Sequence, residues 1–241
     1  MDINRGNKKD LILIVSLIFI LFILNYNSLD NALENFLENA QTEIISVDRI
    51  IDGDTIESNG TSIRLLGINS PERGEPYFNE AKNFLEELIF NETIQLEFVG
   101  QKQDKYYRSL GYLHYKGENI NIKMVENGLA NYYFFDGRDK YSDDLEIAWN
   151  SCLEKEINLC KPSEHICSEC IEINGDRIIN QCGFSCNING WEIKSEGRDK
   201  VVLNGTLGID EGREFDLDLS DSGGSLFLRD AEGGLVSWKN G

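Results

Sequence analysis

The amino-acid sequence predicts a mainly β protein with some α-helix, built from a small closed β-barrel followed by a β-sandwich. Between residues 43 and 155, five short strand-like runs are interleaved with three helical patterns, which is typical of a small barrel. Beyond residue 161, short strands recur at even spacing between turns, which is the pattern of a sandwich. The sequence therefore predicts two β domains in one chain.

The elements of the predicted barrel follow from periodicity and turn residues. Its strands are predicted over residues 44–51, 55–58, 62–66, 93–98 and 109–114, and its helices over 79–90, 121–126 and 143–155. Asp-Gly and Asn-Gly pairs separate the first strands, and such pairs favour tight hairpins. Ala81 and Leu85 fall on one face of the first helix. Asn127-Gly128 provides a C-terminal cap for the second helix.

The predicted sandwich follows a linker at Lys161-Pro162-Ser163. Its seven strands are predicted over residues 171–173, 177–180, 190–194, 200–203, 214–219, 225–229 and 235–238. Turns such as Asn174-Gly175 and Gly233-Gly234 separate these strands. This part of the sequence shows no group of residues suited to catalysis.

The N-terminus combines a basic end with an apolar run over residues 11–24. The run is short for a membrane span, which needs about 20 residues, and its length suits the core of a signal peptide. No small-residue cleavage site follows closely, and Tyr26 could anchor the segment at the membrane interface. We favour an uncleaved signal anchor over residues 1–27; a cleaved signal peptide and a soluble core helix are the alternatives. A spacer helix is predicted over 28–41, and the remainder would lie outside the cytoplasm. The basic residues are Arg5, Lys8 and Lys9.

Six cysteines are confined to the C-terminal half of the chain: Cys152, Cys160, Cys167, Cys170, Cys182 and Cys186. An even number in an exported chain favours disulfide bonds, and a zinc site is the alternative. The sequence does not give the pairing. A bond between Cys152 and Cys160 requires the last barrel helix to end between them, because a continuous helix would separate their Cα atoms by about 12 Å.

Three short stretches beside predicted strands carry the residues suited to chemistry. They are Asp52-Gly53-Asp54-Thr55, the segment over residues 64–72, and Asp104-Lys105-Tyr106-Tyr107-Arg108. Together they supply two arginines, Arg64 and Arg108, as well as carboxylates and several neutral oxygen donors. Cleavage of a phosphodiester bond uses a hard cation, a carboxylate that activates water, and guanidinium groups that bind the phosphate.

The order and the residues of these stretches resemble the motifs of the thermonuclease (staphylococcal nuclease) family, and the resemblance extends from about Glu43 to about Cys160. The resemblance implies a five-stranded barrel of the oligonucleotide-binding (OB) type with three helices. It also implies calcium-dependent hydrolysis of DNA and RNA with little sequence preference, leaving 3′-phosphate ends. The corresponding domain boundaries are 42–161 for the thermonuclease-like domain and 162–241 for the domain that follows.

The resemblance implies a calcium site formed by Asp54, Asn69 and the backbone carbonyl of Ser70. Many family members carry aspartate at the position of Asn69. An amide oxygen can still bind calcium, but a ligand set with fewer negative charges should bind it more weakly. An ordinary hairpin turn is the alternative interpretation of Asp52-Gly53-Asp54.

The same resemblance implies that Arg64, Glu72 and Arg108 are the catalytic residues. Each guanidinium can donate two parallel hydrogen bonds to a phosphate, and Glu72 would position or deprotonate the attacking water. The alternative for Arg64 and for Arg108 is a surface arginine at a strand edge. The alternative for Glu72 is a solvated glutamate in a loop.

Substrate contacts are predicted for Lys105, Tyr106 and Phe134. The aromatic rings could stack on bases without sequence preference, and core packing is the alternative. Phe134 lacks the hydroxyl of the tyrosine found there in the classical nuclease, so one hydrogen bond to a terminal phosphate would be missing.

The stretch over residues 187–194 resembles lamin-tail domains, which are immunoglobulin-like sandwiches. The partner of this predicted domain is unknown from the sequence. An interaction protein at the cell surface, with the sandwich as its working part, is one alternative function for the chain.

A net charge of −19 is unusual for a protein that contacts nucleic acid, because phosphate binding favours a basic face. We therefore expect weak, metal-dependent substrate binding. The charge and Asn69 favour one rival, a catalytically weak or inactive nucleic-acid-binding module tethered to the membrane. The combination of Arg64, Glu72 and Arg108 favours the enzyme.

Overall fold

The computed structural model describes residues 14–17, 41–134, 137–197, 199–217 and 225–239. The chain divides into two units, Met1–Glu43 and Ile44–Gly241. Residues 14–17 are helical, and the remainder of the predicted signal anchor and of the spacer helix up to residue 40 lies outside the described residues. None of the helices formed by the described residues has the length and apolar character that crossing a membrane requires.

From residue 42 the chain first alternates short strands with three helices. In chain order these are β1 (Thr42–Ser46), β2 (Arg49–Ile50), β3 (Thr55–Ser58), β4 (Thr61–Leu65), β5 (Ile68–Asn69), α1 (Phe78–Ile89), β6 (Thr93–Glu97), β7 (Ser109–Tyr115), β8 (Glu118–Asn119), α2 (Ile120–Glu126), β9 (Asn131–Tyr132) and α3 (Ser142–Lys155). The main sheet has the order β1-β6-β7-β4-β3-β2, β8 pairs with β7, and β5 pairs with β9.

The main sheet closes on itself because its two edge strands are consecutive in the chain. Sequence analysis predicted one strand over 44–51, but the structure divides it into β1 and β2. At the division the backbone N–H of Val47 donates to Glu92 beside β6, and that of Asp48 donates to Glu57 on β3. The chain thus passes from one edge of the sheet to the other within two residues, which removes the open edges of a barrel.

The barrel and its helices share one apolar core. Helix α1 buries Ala81, Leu85 and Ile89 against it, as the helical spacing predicts. Tyr112 from β7 and Trp149 from α3 are completely buried in the same core. The predicted mainly β fold with an OB-like barrel and further β-sheets is confirmed.

The C-terminal region consists of short antiparallel strands around a second apolar core. They are β10 (Ile171–Asn174), β11 (Arg177–Asn180), β12 (Cys186–Asn187), β13 (Glu192–Ser195), β14 (Lys200–Val202), β15 (Thr206–Leu207), β16 (Gly212–Glu214), β17 (Leu226–Arg229) and β18 (Leu235–Lys239). They form sheets of order β10-β11-β16, β12-β15 and β14-β13-β17-β18.

One predicted strand of this region is displaced. The sequence predicted a strand over 214–219, whereas β16 spans Gly212–Glu214 and residues 215–217 form no strand; residues 218–219 lie outside the described residues. Glu214 is the register partner of Arg177, the first residue of β11, so the partner strand provides no further ladder positions beyond it. The lamin-tail resemblance and the domain boundaries stay predictions.

All six cysteines form disulfide bonds in the structure: Cys152–Cys160, Cys167–Cys186 and Cys170–Cys182. Helix α3 ends at Lys155, and Glu156 then adopts a left-handed conformation with φ of 52°. This reversal brings the Cα atoms of Cys152 and Cys160 to 5.8 Å, which satisfies the condition that the sequence imposed. The structure therefore contains the predicted disulfides, and the zinc alternative is not adopted.

The C-terminal sheets pack directly on the barrel through aromatic side chains. Phe227 on β17 is completely buried and lies edge-on to Trp149, with ring centroids 5.3 Å apart. Trp238 on β18 approaches the same indole at 6.3 Å. The predicted linker is held as well, because Pro162 forms a parallel bridge with Leu235. The two parts share a core-like interface.

We expect Phe227→Ala to lower the free energy of unfolding by about 3–5 kcal/mol, because it leaves a cavity at this interface. Urea denaturation followed by tryptophan fluorescence measures the change. Ile209→Ala is the control, since Ile209 is 57% exposed and its truncation should cost less than about 0.5 kcal/mol. Equal effects of the two substitutions would contradict the assigned packing of Phe227.

Candidate active site

The candidate site lies where β3, β4 and β5 meet the N-terminal half of α1. Asp54 directly precedes β3, Arg64 lies in β4, and Asn69 ends β5. Gly53 permits this approach, since a Cβ atom there would lie 2.7 Å from Cβ of Ala81 and 2.8 Å from Cβ of Ser70. A side chain at position 53 would push the Asp54 turn away from its neighbours.

Arg64 is the most densely bonded residue of the site and is only 8% exposed. Its Nη1 donates to the carbonyl oxygens of Asp54 (3.4 Å) and Leu65 (2.9 Å) and lies 3.1 Å from Oδ1 of Asp54. Its Nη2 donates to the carbonyl oxygen of Ile68 (2.8 Å) and to Oδ1 of Asn69 (3.1 Å). One guanidinium thus connects β3, β4 and β5.

Two carboxylates lie close together beside Arg64. Asp54 is 3% exposed, and its Oδ2 accepts a hydrogen bond from the backbone N–H of Ser70 at 2.6 Å. The carboxylate of Asp52 accepts from the N–H of Asp54. Burial, together with the negative charge of Asp54, raises the pKa of Asp52 to about 6. A bound cation would offset this unfavourable burial of two acidic groups.

The oxygen donors of the site fit a hard cation. The carboxylate of Asp54, the amide oxygen of Asn69 and the carbonyl oxygen of Ser70 are all ligand types that calcium accepts. Asn131 is the register partner of Asn69 in the β5–β9 pair and is 5% exposed. Its Oδ1 is buried and has no hydrogen-bond donor in the part of the chain that the structure describes, so it is a further neutral oxygen in this region.

Asn69 also contacts the C-terminal region. Its Nδ2 donates to the carbonyl oxygens of Glu196 (3.2 Å) and Gly197 (2.9 Å). These two residues follow β13 directly. The amide oxygen of Asn69 therefore accepts from Arg64, and its nitrogen donates to the C-terminal region.

Glu72 lies in the loop between β5 and α1 and is half-buried. Its backbone N–H donates to Oε2 of Glu75 at 2.9 Å. Glu75 in turn forms ion pairs with Lys194 (2.7 Å) and Lys200 (3.2 Å). Burial opposes ionisation of Glu75, but these hydrogen bonds and charges outweigh it and lower its pKa. The loop that carries Glu72 is thus tied to β13 and β14.

Arg108 directly precedes β7, which pairs with β4. Ser109, the residue after Arg108, is the register partner of Ile63, the residue before Arg64. The Nε of Arg108 donates to Oδ2 of Asp104 at 2.7 Å, and the backbone N–H groups of Tyr106 and Arg108 donate to the other carboxylate oxygen. Burial opposes ionisation of Asp104, but these bonds lower its pKa. The Asp104 carboxylate therefore fixes the side chain of Arg108.

The predicted substrate residues differ in exposure. Tyr106 is 67% exposed, and Lys105 and Arg108 lie over its ring at 5.1 and 5.7 Å. Phe134 is half-buried, stacks on Tyr132 at 5.3 Å and is covered by Arg138 at 5.1 Å. Its backbone N–H donates to the Glu196 carboxylate. Substrate roles for Lys105, Tyr106 and Phe134 stay predictions, and Phe134 shows the packing alternative as well.

The structure brings Asp54, Arg64, Asn69 and Ser70 together by direct contacts. Sequence reasoning assigned no role to Asp52 or to the carbonyls of Glu196 and Gly197. Asp52 belongs to the Asp52-Gly53-Asp54-Thr55 stretch, and the glycine beside it was a signal for a closely packed turn. Glu196 carried no signal, since its contact with Asn69 joins residues 127 apart in the chain.

The chain is similar in sequence to known nucleases. A family model described as staphylococcal nuclease homologue matches residues 62–161. The thermonuclease of Staphylococcus intermedius is 30% identical over 158 residues, which cover 61% of this chain and 94% of that protein. The thermonuclease of Staphylococcus hyicus is 31% identical over 133 residues, covering 51% and 79%. Endonuclease YncB of Bacillus subtilis (strain 168) is 29% identical over 134 residues, covering 51% and 64%.

The contacts of Glu75 predict a pH-dependent contribution to stability. Because its pKa is lowered below the ordinary value of 4.5, the stabilisation is present above that value and is lost as the pH falls through the lowered folded-state pKa. We expect wild type to be more stable than Glu75→Gln at about pH 7, with the difference shrinking toward about pH 3. Urea unfolding at several pH values measures this difference, with the exposed Glu232→Gln as control. A difference that does not change with pH would contradict the prediction.

Proposed function

This chain belongs to the family of staphylococcal nuclease homologues, and we propose that it is a calcium-dependent nuclease that acts outside the cytoplasm. It would hydrolyse phosphodiester bonds of DNA and RNA with little sequence preference. The observation that carries the proposal is the connected set of Arg64, Asp54, Asn69 and Ser70. Relatives named thermonuclease and endonuclease support the reaction class.

Asp54, Asn69 and the carbonyl of Ser70 would hold the metal in this proposal. Calcium would supply positive charge that stabilises the phosphate oxygens as negative charge develops and would assist ionisation of water. Asp52 adds negative charge beside this ligand set without belonging to it. The neutral amide at position 69 favours a weak site, of the kind found in extracellular modules with dissociation constants of about 10⁻⁴–10⁻³ M.

Glu72 would position or deprotonate the attacking water. Its loop follows Pro71, which restricts the backbone, and is tied to Glu75 by a hydrogen bond. A carboxylate on a fixed loop loses little freedom when it accepts a proton, which suits general-base catalysis.

The two arginines would stabilise the transferred phosphate in different ways. The Nη atoms of Arg64 are bonded within the protein, whereas its Nε makes no hydrogen bond to a described residue. We propose that Nε of Arg64 faces the phosphate. Arg108 is more exposed and presents the remainder of its guanidinium beside Tyr106, on whose ring a base could stack.

The compartment and the other domains belong to the same proposal. Three disulfide bonds favour an oxidising environment, in agreement with a signal anchor or signal peptide over residues 1–27 and a spacer over 28–41. Residues 42–161 would form the nuclease domain and 162–241 a lamin-tail-like domain with a partner still to be identified.

A second candidate is a catalytically weak or inactive nucleic-acid-binding module. The burial of Asp54, Asn69 and Ser70, each no more than 3% exposed, favours it, because a substrate phosphate needs access to these atoms. Cleavage assays separate the two functions.

We expect the full chain to cut DNA in calcium and to lose this activity in excess chelator. Agarose electrophoresis of digested plasmid measures the reaction, with readdition of calcium as the control for reversibility. Undiminished digestion in chelator would refute calcium dependence, and no digestion at any calcium concentration would favour the binding module.

Arg64→Lys and Glu72→Gln should each lower turnover by about 10² or more, the scale of a lost charge-stabilising or acid–base group. Lysine keeps the charge but loses the planar set of donors. Cleavage of a labelled oligonucleotide at saturating substrate measures the loss. Circular dichroism checks folding, because Arg64 is buried.

The exposed residues Arg49 and Glu87 supply matched controls, Arg49→Lys and Glu87→Gln, which should cut at the wild-type rate. If folded Arg64→Lys and Glu72→Gln also cut at that rate, the proposed catalytic roles are wrong.

A further inference from the structure

We propose that the C-terminal domain completes the nuclease site, with the loop over residues 195–197 acting as a positioning element for Asn69. This inference rests on the proposed function, since it assigns a role within that site. The family model ends at residue 161, so the loop lies outside the part of the chain that defines the family. We call residues 195–197 the positioning loop.

The positioning loop determines which way the amide of Asn69 points. Its two carbonyl oxygens, from Glu196 and Gly197, accept hydrogen bonds from Nδ2 at 3.2 and 2.9 Å. The amide oxygen is consequently directed at Nη2 of Arg64, 3.1 Å away, on the side of Asp54. A side chain amide with both ends bonded is held in a single orientation, which is what a ligand oxygen requires.

The loop is itself fixed by a buried carboxylate. Glu196 is 5% exposed, and its Oε1 accepts from the backbone N–H of Ser225 at 2.7 Å while Oε2 accepts from that of Phe134 at 3.3 Å. The hydroxyls of Ser225 and Tyr132 form a further hydrogen bond at 2.5 Å. Because Tyr132 belongs to β9, which pairs with β5, these contacts return to the strand that carries Asn69.

The loop also accounts for asparagine at position 69. An aspartate there would place a carboxylate oxygen against two carbonyl oxygens, and like partial charges repel. Only an amide can donate to the loop and still offer an oxygen to Arg64 and a cation. Asparagine at position 69 therefore suits a site that the positioning loop contacts.

The attachment of the domain is firm enough for a positioning role. Phe227 and Trp149 form a buried aromatic contact between the two parts, and Lys194 and Lys200 hold Glu75 in the loop of Glu72. Two separate loops of the nuclease site, those of Asn69 and Glu72, are thus held from the same C-terminal sheet.

The test measures calcium affinity by isothermal titration calorimetry on the full chain with Glu196→Ala and Glu196→Gln. Glutamine keeps the size of the side chain but can accept only one of the two backbone hydrogen bonds. We expect calcium binding to weaken about 10-fold to 100-fold, as for other residues that orient a metal ligand. Cleavage should require more calcium and recover toward the wild-type rate at saturating calcium, which a general folding defect would not produce.

Glu232→Gln is the matched control, an exposed glutamate of the same domain that should bind calcium as wild type does. Unchanged calcium affinity in folded Glu196 variants would overturn the proposal. Tighter binding or faster cleavage would overturn it too, since the loop would then cover the site rather than position Asn69.

A double-mutant cycle between Asn69→Asp and Glu196→Ala tests the contact without activity. Both substitutions act on one contact, so their effects on the urea midpoint should be non-additive, and Asn69→Asp should cost less stability once the loop is released. Additive effects would overturn the contact. If wild type neither binds calcium nor cuts DNA, the proposed function fails, while this coupling still decides whether the loop holds Asn69.

Discussion

A buried guanidinium must place its N–H groups on oxygen acceptors, and this requirement organises the site around Arg64. Its acceptors are the carbonyls of Asp54, Leu65 and Ile68 and the side chains of Asp54 and Asn69. Leaving a charged donor buried without an acceptor costs several kcal/mol, on the order of 3–5 for a broken buried pair. The turns after β2, β4 and β5 are therefore fixed relative to one another by the same charge that the proposed chemistry uses.

The arrangement also explains how a strongly acidic chain can form a site for phosphate. The net charge of −19 gives no general attraction to nucleic acid, yet Arg64 and Arg108 keep their charges locally beside Asp54 and Asp104. Each aspartate orients its arginine and removes rotational freedom from it. Such preorganised charge acts on a bound transition state and contributes little to long-range attraction.

Much of the fold was predictable because its signals are local. The strand β3, the hairpin to β4 and helix α1 agree with the sequence within a few residues, since turn residues and helical spacing determine them. The cluster of Asp54, Arg64, Asn69 and Ser70 was indicated by the resemblance to the thermonuclease family, and the structure places these side chains and backbone groups in contact. Their roles stay predictions. The Cys152–Cys160 bond requires that helix α3 end between the two cysteines, and the left-handed conformation of Glu156 ends it there.

The remaining features depend on tertiary structure that no local pattern contains. The chain bends at Val47 because β1 and β2, on either side of it, pair with opposite edges of the closing sheet. The sequence of this segment predicts one continuous strand and contains no signal for the bend. The hydrogen bonds from Phe134 to Glu196 and from Asn69 to Gly197 join segments whose meeting depends on how the C-terminal sheets dock. The sequence indicated Asn69 as a weakened metal ligand, whereas in the structure its side chain also donates hydrogen bonds from the barrel to the C-terminal region.

The most direct test of this account is a crystal structure of the full chain grown at saturating calcium. The account predicts one ion at the site, bound by Asp54 and by Oδ1 of Asn69 at about 2.3–2.6 Å, with Nδ2 of Asn69 still donating to Gly197. An ion bound away from Asp54 and Asn69, or a site empty at saturating calcium, would contradict it.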